Sequence, residues 1–222
     1  MTRTGKLYII NVNYVIYKNQ VKEKRAFKDA YRIMKKIGAF LLSLVMLLSV
    51  IVLPTNTTQA AEAMPTVSYS VHAQSYGWMN PAQNGKTAGT TGQGKRLEAI
   101  AISLKQNGTS YAGGLRYQAH VQTYGWMNWV DADTNGASPR SLADKGQYAG
   151  TVGKSKRMEA IRMELTGELA NRYEVLYRVH MQTYGWSSWT KGGDTAGTVG
   201  QGKRLEAIEI KLIQKPSVTP AG

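Results

Sequence analysis

The sequence predicts an all-β domain made of three internal repeats closed around a pseudo-threefold axis, β-prism-like or β-trefoil-like, behind an N-terminal signal helix. Three observations lead there. The string HVQTYGWMNW at His120–Trp129 returns as VHAQSYGWMN at Val71–Asn80 and VHMQTYGWSSW at Val179–Trp189. Around each copy stands a longer unit that opens, continues and closes alike, and internal periodicity of this kind dictates the architecture. Within each unit the apolar residues alternate, which is the two-residue period of a strand.

The units run from about Tyr69 to Leu104, Tyr117 to Leu165 and Tyr177 to Leu212. Each passes through Ala-Gly-Thr-x-Gly (Ala88–Gly92, Ala149–Gly153, Ala196–Gly200) and closes Lys-Arg-x-Glu-Ala-Ile (Lys95–Ile100, Lys156–Ile161, Lys203–Ile208). In the opening segment Tyr117, Ala119, Val121 and Thr123 share one face and Gln118, His120, Gln122 and Tyr124 the other, with Gly125 expected to end the strand. In the closing segment Glu206, Ile208, Ile210 and Leu212 are expected to face the core together. The Gly- and Thr-rich middle predicts short strands and tight turns. Gly-rich turns interrupt any 3.6-residue period, so no helix is expected in the repeats. The Trp-to-Arg spacing is 18, 31 and 18 residues. The surplus of unit two falls within Asp131–Gln147, whose polar residues, Gly136 and Pro139 predict an enlarged surface loop. Units this small bury little alone, whereas three closed together share a core and hide their sheet edges.

Ahead of the repeats, Lys35-Lys36 precede Ile37–Leu53, seventeen uncharged residues, followed by Pro54 and Ala61-Glu62-Ala63. A basic start, an apolar stretch and a small-x-small site describe a secretory signal peptide over 34–63, cut after Ala63 or alternatively after Ala60. Residues 1–33 hold eight Lys/Arg and two acidic residues without periodicity, and read as a dispensable or mis-called extension before a start at Met34. Residues 213–222 read as a flexible tail.

The charge of +14 shrinks to +7 over residues 64–222, and those cations are spread through the repeats. This favours an anionic cell envelope as partner, with no nucleic acid and no membrane after signal cleavage. With no cysteine, the core alone must hold the exported part.

The three histidines of the chain, His72, His120 and His180, all stand in the repeated string. They could converge on a metal or serve catalysis, but a fixture multiplied by the repeat accounts for them best, each bonded within its unit, with Glu98, Glu159 or Glu206 as candidate partner. A carboxylate on an apolar face needs such pairing. Paired carboxylates for glycoside hydrolysis are the enzymatic alternative, with nothing else of a hydrolase in the sequence, and no Walker loop, dinucleotide fingerprint or Cys/His zinc spacing is present. No metal and no cofactor are expected. Trp78, Trp126 and Trp186 follow Gly in every unit and are expected mostly in the core, while remaining secondary ligand-binding candidates. Trp129 and Trp189 have Pro81 as their counterpart in unit one. They are therefore the better stacking platforms; Gln122 and Gln182, on the histidine face of the strand, are further ligand-binding candidates, and a Trp restored at position 81 is expected to add a third site.

The string His-x-Gln-x-x-Gly-Trp, a second Trp three residues on, Ala-Gly-Thr-x-Gly and Arg-Leu-Glu-Ala-Ile resemble the clostridial hydrophobic repeat with a tryptophan, the ChW repeat, over about Tyr69–Leu212. The resemblance implies export and surface association in Gram-positive bacteria, beside wall hydrolases, glycan-active enzymes or adhesion modules. The expected function is a secreted, non-enzymatic surface module that binds cell-wall or extracellular glycan. The alternative is a structural adhesion protein whose partners are surface proteins. Oligomeric state is left open.

Overall fold

A computed structural model describes residues 18, 20–29, 31–32, 63–108 and 110–216. The chain divides into two units, Met1–Thr58 and Gln59–Gly222. In the first, residues 20–29 are helical. The expected signal segment lies outside the described residues up to 62, as does the tail from 217. Among the described residues no helix is long and apolar enough to cross a membrane.

The second unit is mostly β. Repeat one supplies β1 (Thr66–Ala73), β2 (Gly77–Trp78), β3 (Ala82–Gln83), β4 (Ala88–Gly89) and β5 (Leu97–Lys105). Repeat two supplies β6 (Leu115–Val121), β7 (Gly125–Trp126), β8 (Val130–Asp131), helix α1 (Pro139–Asp144), β9 (Ala149–Gly150) and β10 (Met158–Leu165). Helix α2 (Gly167–Arg172) leads to repeat three: β11 (Tyr173–Met181), β12 (Gly185–Trp186), β13 (Thr190–Lys191), β14 (Ala196–Gly197) and β15 (Leu205–Gln214). The opening and closing strands of each repeat form the long antiparallel pairs β1–β5, β6–β10 and β11–β15. Three open five-stranded sheets result.

Each sheet borrows its last strand from another repeat. The Ala-Gly strand β4 of repeat one pairs with β15 of repeat three, β9 of repeat two with β5 of repeat one, and β14 of repeat three with β10 of repeat two. The glycine is indispensable to this exchange. Gly89, Gly150 and Gly197 have φ of +106°, +106° and +110°, and a Cβ on any of them would stand 2.4 Å from the carbonyl oxygen of Glu206, Glu98 or Glu159. The following threonine N–H donates to that same carbonyl.

A buried tyrosine repeats the exchange. The hydroxyls of Tyr69, Tyr117 and Tyr177 accept the N–H of Ile210, Ile102 and Met163 at 3.0, 3.2 and 3.3 Å, each on another repeat's closing strand. Burial pushes all three phenols up, Tyr69 and Tyr177 to about 12, with the backbone hydrogen bonds opposing the shift. One apolar cluster, containing Ile100, Ile161, Ile208 and these tyrosines, runs through all three repeats.

Several expectations need correction. Helices do occur. Pro139 opens α1 at a position where a missing N–H costs nothing, and α2 buries Leu169 in the core. Gly125 does not end a strand but starts the returning β7, because Gln122–Tyr124 already form the turn. Glu98, Glu159 and Glu206 do not face the core. A register shift makes each the extra residue of a β-bulge, with Val179 opposite Ile208, His180 opposite Ala207 and Met181 opposite Leu205 in repeat three. The bulge hands the core position to Leu97, Met158 or Leu205 and turns the glutamate to the histidine's side.

Candidate functional site

The bulge explains where the histidines go. His72, His120 and His180 place Nδ1 at 3.0, 3.3 and 3.0 Å from Oε2 of Glu98, Glu159 and Glu206. No hydrogen bond closes at these Nδ1 atoms, so the pairs are close polar contacts. The other carboxylate oxygen accepts from Nε and Nη2 of Arg96, Arg157 or Arg204, two residues before it, at 2.9 and 2.8 Å in each repeat. On its far side each imidazole meets a Trp edge-on, at 5.6 Å for Trp78, 5.4 Å for Trp126 and 5.5 Å for Trp186. Every repeat thus carries an Arg–Glu–His–Trp chain closed within itself. Among the described residues no three His, Cys, Asp or Glu are grouped to hold a metal ion.

Trp78, Trp126 and Trp186 are half-buried on the outer sheet surface rather than in the core, because β2, β7 and β12 turn back along the opening strand and leave one ring face outward. What covers that face differs. In repeat two Arg162 lies 3.8 Å over Trp126. Trp129 is 37% exposed, with Arg116 4.8 Å over its ring. Gln118, its amide turned so that both ends are satisfied, accepts from Trp129 Nε1 at 3.3 Å and donates to the Met127 carbonyl at 3.0 Å. Arg116 is held by Glu164 at 2.5 Å. In repeat three Arg178 lies 4.9 Å over Trp186 and 4.8 Å over Trp189, Lys211 lies 4.1 Å over Trp189, and Glu209 holds Arg178 at 2.7 Å. Gln122 and Gln182 follow the opening strands. They start the turns, their backbone N–H groups donating to the carbonyls of Arg157 and Arg204.

Such a face is a flat aromatic surface ringed by hydrogen-bonding and charged groups, the composition that stacks a ring and grips its polar edge. The profile of the family described as Clostridial hydrophobic W, ChW, matches residues 72–106, 120–167 and 180–214, more than half of the chain. The chain belongs to the ChW family. No curated protein and no solved structure matches it.

The outer face of the first ChW unit is partly covered. Pro81 replaces the second Trp, and the enlarged segment of unit two lies across it. Leu142 and Ala143 of α1 pack on Ala101 with Trp78 and Tyr148. Tyr148 meets Trp78 edge-on at 5.5 Å, and Arg140 Nη1 donates to the Trp78 carbonyl at 3.0 Å. Asp133 accepts the N–H groups of Asn135 and Ala137 and gives its carbonyl to Leu104 N–H at 2.8 Å, tying the segment down. The outer-face residues Arg116, Gln118, Arg162, Arg178 and Lys211 escaped sequence reasoning, because a charge alternating with core residues reads as a solvated face. A second omission is the turn tyrosines Tyr76, Tyr124 and Tyr184, exposed in every unit.

Proposed function

We propose that this chain is an exported, non-enzymatic module that binds cell-wall or extracellular glycan through the open faces of its second and third units. The observation that carries the reading is Trp129, an exposed indole whose N–H is fixed by Gln118 and beside which Arg116, paired with Glu164, supplies charged and hydrogen-bonding groups. Trp189, half-buried with Arg178 and Lys211 over its ring, is the counterpart in unit three. Binding is favoured over catalysis because the buried carboxylates Glu98, Glu159 and Glu206 are each committed to an arginine and a histidine of their own unit. The histidines then serve as fixtures between glutamate and tryptophan. The cyclic exchange of Ala-Gly strands supports closure of the three units around a pseudo-threefold axis. Export rests on the leader read at 34–63.

Retention of the chain on purified cell wall tests this. Trp129→Ala and Trp189→Ala should each weaken retention roughly five- to a hundredfold, the range for loss of one stacking ring, and leave the melt nearly unchanged. A large fall in melting temperature would instead make them structural. The second reading, adhesion to surface proteins, is favoured by the exposed Tyr76, Tyr124 and Tyr184. It predicts that Tyr124→Ser, and not Trp129→Ala, abolishes attachment.

A further inference from the structure

One cation on the open face of unit two lacks a counter-charge. Every other arginine of residues 63–216 has a carboxylate within ion-pair distance. Arg162, in β10, has none. Its Nε is enclosed without a hydrogen-bond partner, and among the described residues no hydrogen bond reaches its terminal nitrogens. Among the described residues the nearby carboxylates make no ion pair with Arg162. Glu164 is bound to Arg116, and Asp194, which unit three brings beside Tyr177, stays outside ion-pair distance. The guanidinium is nonetheless fixed, stacked 3.8 Å from the centroid of Trp126. An aliphatic side chain would cover that ring without stripping water from a charge, so packing does not require the cation. Nor does the fold. The residue at this register is Ala101 in unit one and Glu209, occupied by Arg178 and Thr87, in unit three.

Arg162 stands directly across the strand pair from Gln118, whose carbonyl holds the Trp129 indole. We propose that Arg162 binds an oxyanion, carboxylate or phosphate, carried by the sugar that stacks on Trp129, so that unit two selects an anionic glycan. A stacked, planar fork with free terminal nitrogens is already ordered for two parallel hydrogen bonds to such a group. This rests on the glycan reading above and adds the charge class of the ligand. Unit three offers Lys211 over its tryptophan, a point charge without that fork, and unit one offers neither.

The test measures binding of the whole chain to four soluble probes: an oligomer of N-acetylglucosamine, which is neutral, an oligogalacturonate, a polyol-phosphate oligomer, and inorganic polyphosphate, which has no sugar. The chain should bind one of the two anionic glycans about tenfold or more tightly than the neutral one, and the tighter of the two identifies the oxyanion. Arg162→Met should erase that preference while leaving neutral binding intact, Arg162→Lys should keep part of it, and Trp129→Ala should weaken neutral and anionic glycans alike. If Arg162→Met melts early, the graded loss in Arg162→Lys and the salt dependence of anionic binding carry the test. An anion-to-neutral ratio unchanged by either Arg162 variant overturns the inference and leaves the glycan reading standing. Polyphosphate bound as tightly as the sugar anions and indifferent to Trp129→Ala overturns the shared sugar site. Binding to none of the probes overturns both readings.

Discussion

On the outer face of unit one stand Ser68, Ser70, Ala101 and Ser103; at the same register in unit two stand Arg116, Gln118, Arg162 and Glu164. The two sheets share their backbone pairing, bulge and Arg–Glu–His–Trp chain. Their outer residues differ because different things lie on them. Small side chains make room for α1 and its flanking loop, so unit one's indole is roofed by the chain itself. Long charged side chains in unit two line their own indoles and leave the face to solvent. The repeat therefore separates two tasks. What faces inward is common to all units and holds them to each other; what faces outward is free to be closed or opened, and an insertion of thirteen residues with an exchange of Trp for Pro closes it.

The roof is anchored where its return strand meets unit one, and the largest effect is expected there. Gly150→Ala drives a Cβ to 2.4 Å from the Glu98 carbonyl at φ +106° and should cost more than about 3 kcal/mol. Gly153→Ala, at φ +72° with open space around it, should cost only about 1 kcal/mol of left-handed strain. Equal losses in chemical denaturation would mean that β9 does not clamp the roof to unit one.

The inward face should fail in all units together. Tyr69 and Tyr177 are pushed up to about 12 from 10.0, chiefly by burial. A phenol whose folded pKa exceeds its unfolded one favours the folded chain fully below the unfolded value. That contribution is lost as pH rises from 10 through 12. Each tyrosine should thereby withdraw on the order of 2 kcal/mol. Ultraviolet titration should show tyrosinate appearing together with a single loss of sheet signal. Buried tyrosines that ionise while the sheets persist would contradict the shared lock.

Removing the roof's own apolar contact comes next. Leu142→Ala should cost about 2 kcal/mol, the low end for a buried leucine because its cluster is small. Retention on cell wall should not change, since Trp129 and Trp189 are untouched. A gain in retention with Trp78 newly accessible would show that the closed face is a masked site rather than a retired one.

Much of this contrast was legible in the sequence, and the reasons are local. Alternation fixed the strands, and chemistry alone paired the buried glutamate with histidine. The bulge was not legible, because one extra residue reverses the parity that alternation assumes. Neither was the strand exchange: Ala-Gly-Thr announces a turn, but only the neighbour's backbone at 2.4 Å tells why glycine is required. Helix α1 is six residues long, too short for a 3.6-residue period to show, although Ser138-Pro139 carried its start signal.

The smallest expected effect is the sharpest test of the comparison. From sequence, Pro81→Trp restores the missing platform and adds a third site. The structure opposes this. Pro81 lines one groove with Gly136, Ala137, Ser138 and Pro139 of the roof, so an indole there meets the unit-two segment and not solvent. Its polar partners are missing too, since Ser70 stands where Gln118 and Arg178 stand in the other units and its hydroxyl is spent on the Met79 carbonyl at 2.6 Å. Pro81→Trp alone should therefore leave retention on cell wall unchanged. The same substitution with the unit-two segment shortened to the length found in unit three should raise it modestly, because stacking returns without the arginine. If Pro81→Trp by itself raises retention as much as Trp189→Ala lowers it, the roof does not close unit one, and the difference between the faces reduces to one tryptophan.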